Sequence, residues 1–516
     1  MIRALAGAAT LLLVGAACTD TIVQPQNSTA NVFSDQGSYQ EFLAKIYAGL
    51  AVGGQEGGDN NTDIAGINGG FSQYMRLYWE HEELPTDEAI IAWGDVGLPA
   101  LNTLTMDQYN PFPQSMYYRI MFQVTMANEF LRQTTDAVLA SRGVSASLKA
   151  TIQTYRAEAR FLRALSYWHG IDLFGSIPLV TENDPMFTPP QQATRQAIYT
   201  YVVSELTAIQ GSLPAAVPAN YGRATGPAAS MLLAEVQLNA GIYTGTTQYA
   251  AALTAAQAVI GGGYTLDPNW RHLFEADNNT SNEIIFAVPQ DGQHTQTYGG
   301  VNFLIHAECG NNLGNGTMGV DGCWYGLRMK PEMWLRFDTV NDQRATLTFT
   351  NGQTLAVTGT TNFGNGYLYP KFINKTSTGL PGSNPGFVDT DFPMFRLAEA
   401  YLIYAEAAVR TGTNLAQALT YVNAIRTRAG IAALTAPQLT AQAVLDERGR
   451  ELAWEAHRRT DLIRYGLFAG PTSGSYLWAW KGNVLAGQAT DAHLNLYPIP
   501  ATELVANPNL KQNPGY

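Results

Sequence analysis

The chain has 516 residues, 46% of them hydrophobic and 14% charged, with a formal net charge of -12. That length holds two or three ordinary domains or one large helical array, and so small a charged fraction excludes a disordered or coiled-coil chain. The negative balance, unrelieved by any Lys/Arg-rich run, excludes non-specific attraction to nucleic acid or anionic lipid and favours a neutral or cationic ligand.

Residues 1–17 read as an export signal. Arg3 supplies a positive start, Ala4 to Val14 an apolar stretch too short to span a bilayer, and Gly15-Ala16-Ala17 a small-residue cleavage site before Cys18. The block "LLLVGAAC" resembles a bacterial lipoprotein signal in which Cys18 is lipidated and becomes the new N-terminus. The other reading is an ordinary secretory peptide followed by an unrelated cysteine. Each buried methylene of an acyl chain adds roughly 0.8 kcal/mol, so a multiply acylated Cys18 is a firm membrane anchor. Residues 18–35 are polar and unpatterned and suit a flexible tether.

Helical periodicity then dominates, predicting helices over about 37–52, 115–139, 146–174, 194–211, 225–242, 248–261, 393–411, 415–429 and 437–465. The chain divides into an N-terminal helical region (36–262) with a loop insertion (56–113), an irregular insertion (263–390) and C-terminal helical pairs (391–468). An extension (469–516) follows. The irregular insertion carries short alternating strands such as "NEIIFAVPQ". "AEVQLNAG" (234–241) and "AEAAVRTG" (405–412) each begin Ala-Glu, meet glycine seven residues later and lead into a second helix. Repeated helix pairs with small residues at their contacts are the pattern of tetratricopeptide arrays, in which each pair needs a neighbour to bury its face. The expected fold is mainly α: a degenerate tetratricopeptide-type array whose large irregular insertion forms the ligand face.

The richest charged segment is "DERGRELAWEAHRRTDLIRYG", which on a helix places Glu447, Glu451 and Glu455 on one face, continued by Arg459, with Arg448, Arg450 and Arg458 near enough to pair. Paired carboxylates stay ionised and donate protons poorly. The segment therefore reads as an ion-pair network rather than the acid pair of a glycosidase. Arg156, Glu158 and Arg160 flank a core stripe of Phe161, Leu165 and Trp168 and read the same way. HExxH and GxSxG are absent, "GNGTMG" (314–319) lacks a strand before it and a helix after it, and Ile64 stands where a calcium loop starting at Asp59 needs glycine. No catalytic residue, metal site or cofactor is expected. In an exported chain Cys309 and Cys323 suit a disulfide across a glycine-rich loop, with a metal site as the alternative.

The irregular regions hold rings beside amides and short charged groups: Trp93, Asp95, Asn102 and Tyr109 in one, Trp324, Tyr325 and Arg328 in the other. Aromatic faces stack on sugar rings while Asp, Asn and Arg bond the hydroxyls. The competing reading is that these rings pack the loops onto the array.

With "EARFLRALSYWHGIDLFGSIPLVTE", "GRATGPAASMLLAEVQLNAG", "FPMFRLAEAYLIYAEAAV", "YVNAIRTRAGI", "ERGRELAWEAHRRTDLIRYG" and "YPIPATELVANPNLKQNPGY", the chain resembles, nearly end to end, the SusD/RagB family of outer-membrane nutrient-binding lipoproteins. The resemblance implies one unit over 36–516, a tetratricopeptide scaffold with an irregular glycan-binding face, and no catalytic activity. It also implies a place on the cell exterior, as the lid of a SusC-like TonB-dependent transporter. Ligand contacts are implied near Trp93 and within 290–330. The family's run of acids after the lipidated cysteine is reduced here to Asp20. Two further readings stay open: a lid or scaffold whose cargo is peptide or another non-sugar nutrient, and a glycosidase.

Overall fold

The computed structural model describes residue 33 and residues 35–55, 62–310 and 312–516. The export signal, Cys18 and nearly all of the tether lie outside the described residues. The N-terminal region contributes helices α1 (Ser38–Ala51), α2 (Tyr74–Glu83), α3 (Leu98–Thr103), α4 (Pro111–Gln133), α5 (Ala146–Phe174), α6 (Arg195–Ile209), α7 (Gly226–Leu238) and α8 (Tyr249–Ile260), with strand β1 (Ala89–Ile91) between α2 and α3. The insertion holds β2 (Ile284–Val288), α9 (Gly300–Glu308) and β3 (Leu327–Met329). β4 (Phe392–Arg396), α10 (Leu397–Thr411), α11 (Leu415–Arg428), α12 (Ala441–Glu451) and α13 (Arg458–Arg464) follow.

Local chemistry starts many of these helices. Asn110, Ser145, Thr194, Thr225 and Thr440 each accept a backbone N–H of the first turn at α4, α5, α6, α7 and α12, and Pro111 opens α4 where no N–H is needed. The helices then stack in order, α4 on α5, α5 on α6, α6 on α7 and α7 on α8. The next partner of α8 is α10, which also packs on α11 and α12. The array thus continues across the 263–390 insertion, which leaves the stack and returns. Alanines make the junction close: Ala252, Ala255 and Ala256 of α8 are buried, as are Ala400, Ala405, Ala407 and Ala408 of α10. One hydrophobic core runs from Leu43 to Leu510.

Two short antiparallel pairs tie the irregular parts together. β1 pairs with β3 in the register Ala89 with Met329, Ile90 with Arg328 and Ile91 with Leu327, and β2 pairs with β4. Helix α2 packs on α9 beside the first pair.

Three expectations need correction. The helix expected over 437–465 is two helices, because Trp454 (φ 65°) and Ala456 (φ 63°) turn left-handed between α12 and α13. Glu447, Glu451 and Glu455 therefore draw most of their cations from elsewhere. Glu451 accepts from Arg344 at 2.8 Å, Arg396 at 2.7 Å and Arg428 at 2.5 Å, and Glu455 from Arg396 at 2.6 Å and Lys371 at 2.5 Å. Only Glu447 keeps a partner from its own helix, Arg450 at 2.8 Å, beside Arg344 and Arg426. Arg448 pairs with Asp461, Arg458 with Asp87, and Arg459 with Asp172 and Glu82. Secondly, Glu158 meets Arg223 and Arg160 meets Glu205, but among the described residues Arg156 joins no ion pair; it donates to the Leu131 carbonyl and the Thr134 hydroxyl. Lastly, the stretch expected to be an irregular loop contains α2, whose ten residues, five of them acidic or basic, are all buried. A helix covered on every side has no polar face for a 3.6-residue period to reveal.

Candidate functional site

Antiparallel pairing brings the end of β1 beside the start of β3, so the residues just beyond each strand meet. The Ala92 N–H donates to the Gly326 carbonyl at 2.9 Å, and the Trp93 indole N–H donates to the Tyr325 carbonyl at 2.6 Å. Trp93 and Trp324, 231 positions apart in the numbering, thereby come to 6.4 Å between ring centroids at 46°. Tyr298 stands 5.8 Å beyond Trp324, and Phe387 5.6 Å beyond Tyr298. All four rings are half-buried, each seated on the protein with part of its surface open.

What seats them is specific. Trp324 stacks on His306 of α9 at 4.7 Å and 21°. His306 donates its Nδ1–H to the Gly322 carbonyl at 2.7 Å, and burial lowers its pKa, so the ring beneath the tryptophan is a neutral imidazole of fixed orientation. Trp93 rests edge-on against Phe303, 5.8 Å away. Arg76 of α2 lies over Phe303 at 4.3 Å and within 5.5 Å of the Trp93 ring, held by Glu80 at 3.0 Å and the Gly70 carbonyl at 3.0 Å. Burial pushes the Glu80 carboxyl up to about 7 against the opposing pull of Arg76, with a further push from Asp95.

The expected site residues divide. Trp93, Trp324 and Tyr325 gather at the strand ends, with Asp95 exposed two residues past Trp93. Asn102 is a correction: it is 1% exposed, and its amide pairs with both backbone groups of Ile91, which closes β1 and leaves nothing for a ligand. Arg328 is a second correction, for its side chain is buried, donating to the Asn362 carbonyl, with its pKa lowered by burial to about 10. Tyr109 is 73% exposed, but its neighbour Gln108 bonds Ala501 and Gln512, and among the described residues no ring contact joins Tyr109 to the row. Cys309 and Cys323 form a disulfide with Cα atoms 4.8 Å apart, closing the loop that ends at Trp324.

Sequence reasoning missed Arg76, Glu80, Tyr298, His306 and Phe387. Tyr298 and His306 fall in the 290–330 stretch already singled out, whereas nothing in the order of residues marks Arg76 or Phe387. Among the described residues one group has donor atoms close enough for a metal: Glu235, Glu399 and His457, all buried, with those atoms within 4.8 Å of one another. It lies in the helical array, on α7, α10 and the residue before α13. Burial and the neighbouring Glu235 push the Glu399 carboxyl well up, which favours a neutral acid there.

The sequence profile of the SusD family matches residues 328–516. Over 96% of this chain and 94% of its own length, the "Starch-binding protein SusD" of Bacteroides thetaiotaomicron is 34% identical. The chain belongs to the SusD family. A SusD-like protein of Bacteroides ovatus is 23% identical over 98% of this chain and 91% of its own. Among solved structures, a laminarin binding SusD-like protein superposes with a TM-score of 0.69 at 23% identity, covering 93% of this chain and 99% of the other. Surface glycan-binding protein A of Bacteroides uniformis superposes with a TM-score of 0.71 at 22% identity, again over 93% and 99%. These SusD-superfamily neighbours share the tetratricopeptide-like frame and carry the fold assignment.

Proposed function

We propose that this SusD-family chain is a cell-surface lipoprotein that captures an oligosaccharide and passes it, uncleaved, to a SusC-like TonB-dependent outer-membrane transporter. The observation that carries the reading is the open row Trp93, Trp324, Tyr298 and Phe387, with exposed Asp95 beside it to bond hydroxyls. Stacking on sugar faces needs half-exposed rings held rigid from behind, as His306 and Phe303 hold these. The relatives named for starch and laminarin binding support a glycan as the cargo. Binding without cleavage fits Glu80 of α2, which is buried and tied to Arg76 rather than offered to a ligand.

Cys18 is the proposed lipid anchor; among the described residues no helix is long and apolar enough to cross a membrane. A transporter-facing surface is supported by Met186 (61% exposed) and Phe187 (94% exposed), which rim a groove of about 720 Å³ between α4 and the 179–191 loop. We further propose the division into tether, N-terminal helical region, insertion, C-terminal pairs and extension within one unit over 36–516. The deciding experiment is isothermal titration against a panel of neutral and acidic oligosaccharides, with Trp324→Ala as the control. Heat from at least one glycan, lost in the variant, is expected. Silence across the panel, with copurification of a transporter, replaces the reading with that of a lid for peptide or other non-sugar cargo.

A further inference from the structure

Past Trp93 the row of rings does not stop. Gly326, at φ 110°, has no side chain, and the point where a Cβ would stand lies 2.6 Å from Trp93 Nε1 and 3.4 Å from Phe363 Cε1. A 40% exposed phenylalanine therefore abuts the tryptophan end of the site across a bare glycine. Tyr325, 41% exposed, stands on the same turn at φ 61°, a backbone conformation costly for a residue with a Cβ. It is held there by its N–H to the Cys309 carbonyl at 3.2 Å, by the Cys309–Cys323 disulfide, and by Gly310, where a side chain would collide with the phenol ring. Beneath Phe363 lies Arg328, 5.9 Å from the ring centroid and donating to the carbonyl of Asn362, the preceding residue. A buried guanidinium without a carboxylate partner among the described residues is expensive to keep, and what it fixes is this segment of the rim.

We propose that Tyr325 and Phe363 form an outer stacking position, continuous with Trp93, that engages the further units of an uncharged glycan chain, with Arg328 as the residue that positions Phe363. This rests on the glycan-binding reading above. The chain is uncharged because Arg328 is buried under Asn362, Arg76 already shares its charge with Glu80, and the exposed charge beside Trp93 is the carboxylate of Asp95. An acidic sugar would meet repulsion there, and neither Arg76 nor Arg328 is free to offset it.

The test is titration of the mature chain with linear malto- and laminari-oligosaccharides of three to seven units and with oligogalacturonides. Variants are Phe363→Ala, Tyr325→Gly (glycine suits the left-handed turn), Arg328→Met and Arg328→Lys. Wild type is expected to bind longer neutral chains more tightly. Phe363→Ala and Tyr325→Gly lose about tenfold on the longest chains, the worth of one stacking contact, and stay within about twofold on trisaccharides. Arg328→Met copies that length-dependent loss, and Arg328→Lys recovers part of it. Equal losses at every length, no loss in Phe363→Ala, or oligogalacturonides binding as well as neutral chains overturns the proposal while the glycan-binding reading stands. Wild type silent to every oligosaccharide overturns both.

Discussion

Glu451→Gln isolates what the buried charges do. The Glu451 carboxylate is fully buried and receives three guanidinium groups, from Arg344, Arg396 and Arg428, at 2.8, 2.7 and 2.5 Å. Those arginines come from the insertion, β4 and α11, so the carboxylate joins three parts of the chain that share no local structure. Arg428, Arg396 and Arg344 overcome the burial penalty and bring its pKa from 4.5 down to about 2. At 1.36 kcal/mol per tenfold change in proton affinity, that fall corresponds to about 3 kcal/mol. Removing one partner from a buried pair costs about 3–5 kcal/mol by an independent route, so the two agree. The folded-state pKa lies below the unfolded one, so the contribution is present above pH 4.5 and is lost as pH falls toward 2. Urea unfolding followed by tryptophan fluorescence gives the free energy from midpoint and slope. The variant should be about 3 kcal/mol less stable at pH 7, with the gap narrowing by about 2 kcal/mol at pH 3. A deficit below about 1 kcal/mol at pH 7, or an unchanged gap at both pH values, would refute the network reading. Sugar release by wild type that this variant abolished would bring back the glycosidase.

Glu80 should behave in the opposite sense. Its pKa of about 7 lies above the unfolded value, so its effect on stability worsens as pH rises from 4.5 to 7, and Glu80→Gln should flatten that fall in a series of thermal melts. Asn102→Ala should lower stability by about 1–3 kcal/mol by orphaning the Ile91 backbone groups, with glycan titrations unchanged. Reducing Cys309–Cys323, which closes a loop of sequence separation 14, should remove about 3 kcal/mol of loop-closure stabilisation. It should also weaken binding of long glycans before short ones, because the Tyr325 turn loses its brace.

How much of this was legible beforehand follows from where each signal resides. Helices α8 and α11 present one buried and one wet face, so spacing alone marks them, and the Ala-Glu blocks of α7 and α10 mark the repeated pairs. The proposed export signal and its Cys18 are likewise read from neighbouring residues alone, and they lie outside the described residues. Trp93 and Trp324 were legible as candidates, since exposed-loop tryptophans beside short polar residues are a composition visible without coordinates.

What composition could not supply was partnership. Whether Asn102 faces a ligand or the Ile91 backbone depends on a strand pairing that joins residue 91 to residue 327. Glu451 looked as though it would pair along its own helix, yet a left-handed Trp454 ends that face and arginines from 344, 396 and 428 arrive instead. Arg76 became part of the site only when α2 packed on α9 and set it over Phe303. The sequence by itself determined which segments are helices, which are repeats and which carry rings, because periodicity and composition act over a few turns of chain. Only the tertiary structure decided which rings share an open face and which charges neutralise one another, because stacking and Coulomb forces act across 4 to 6 Å of space whatever the separation along the chain.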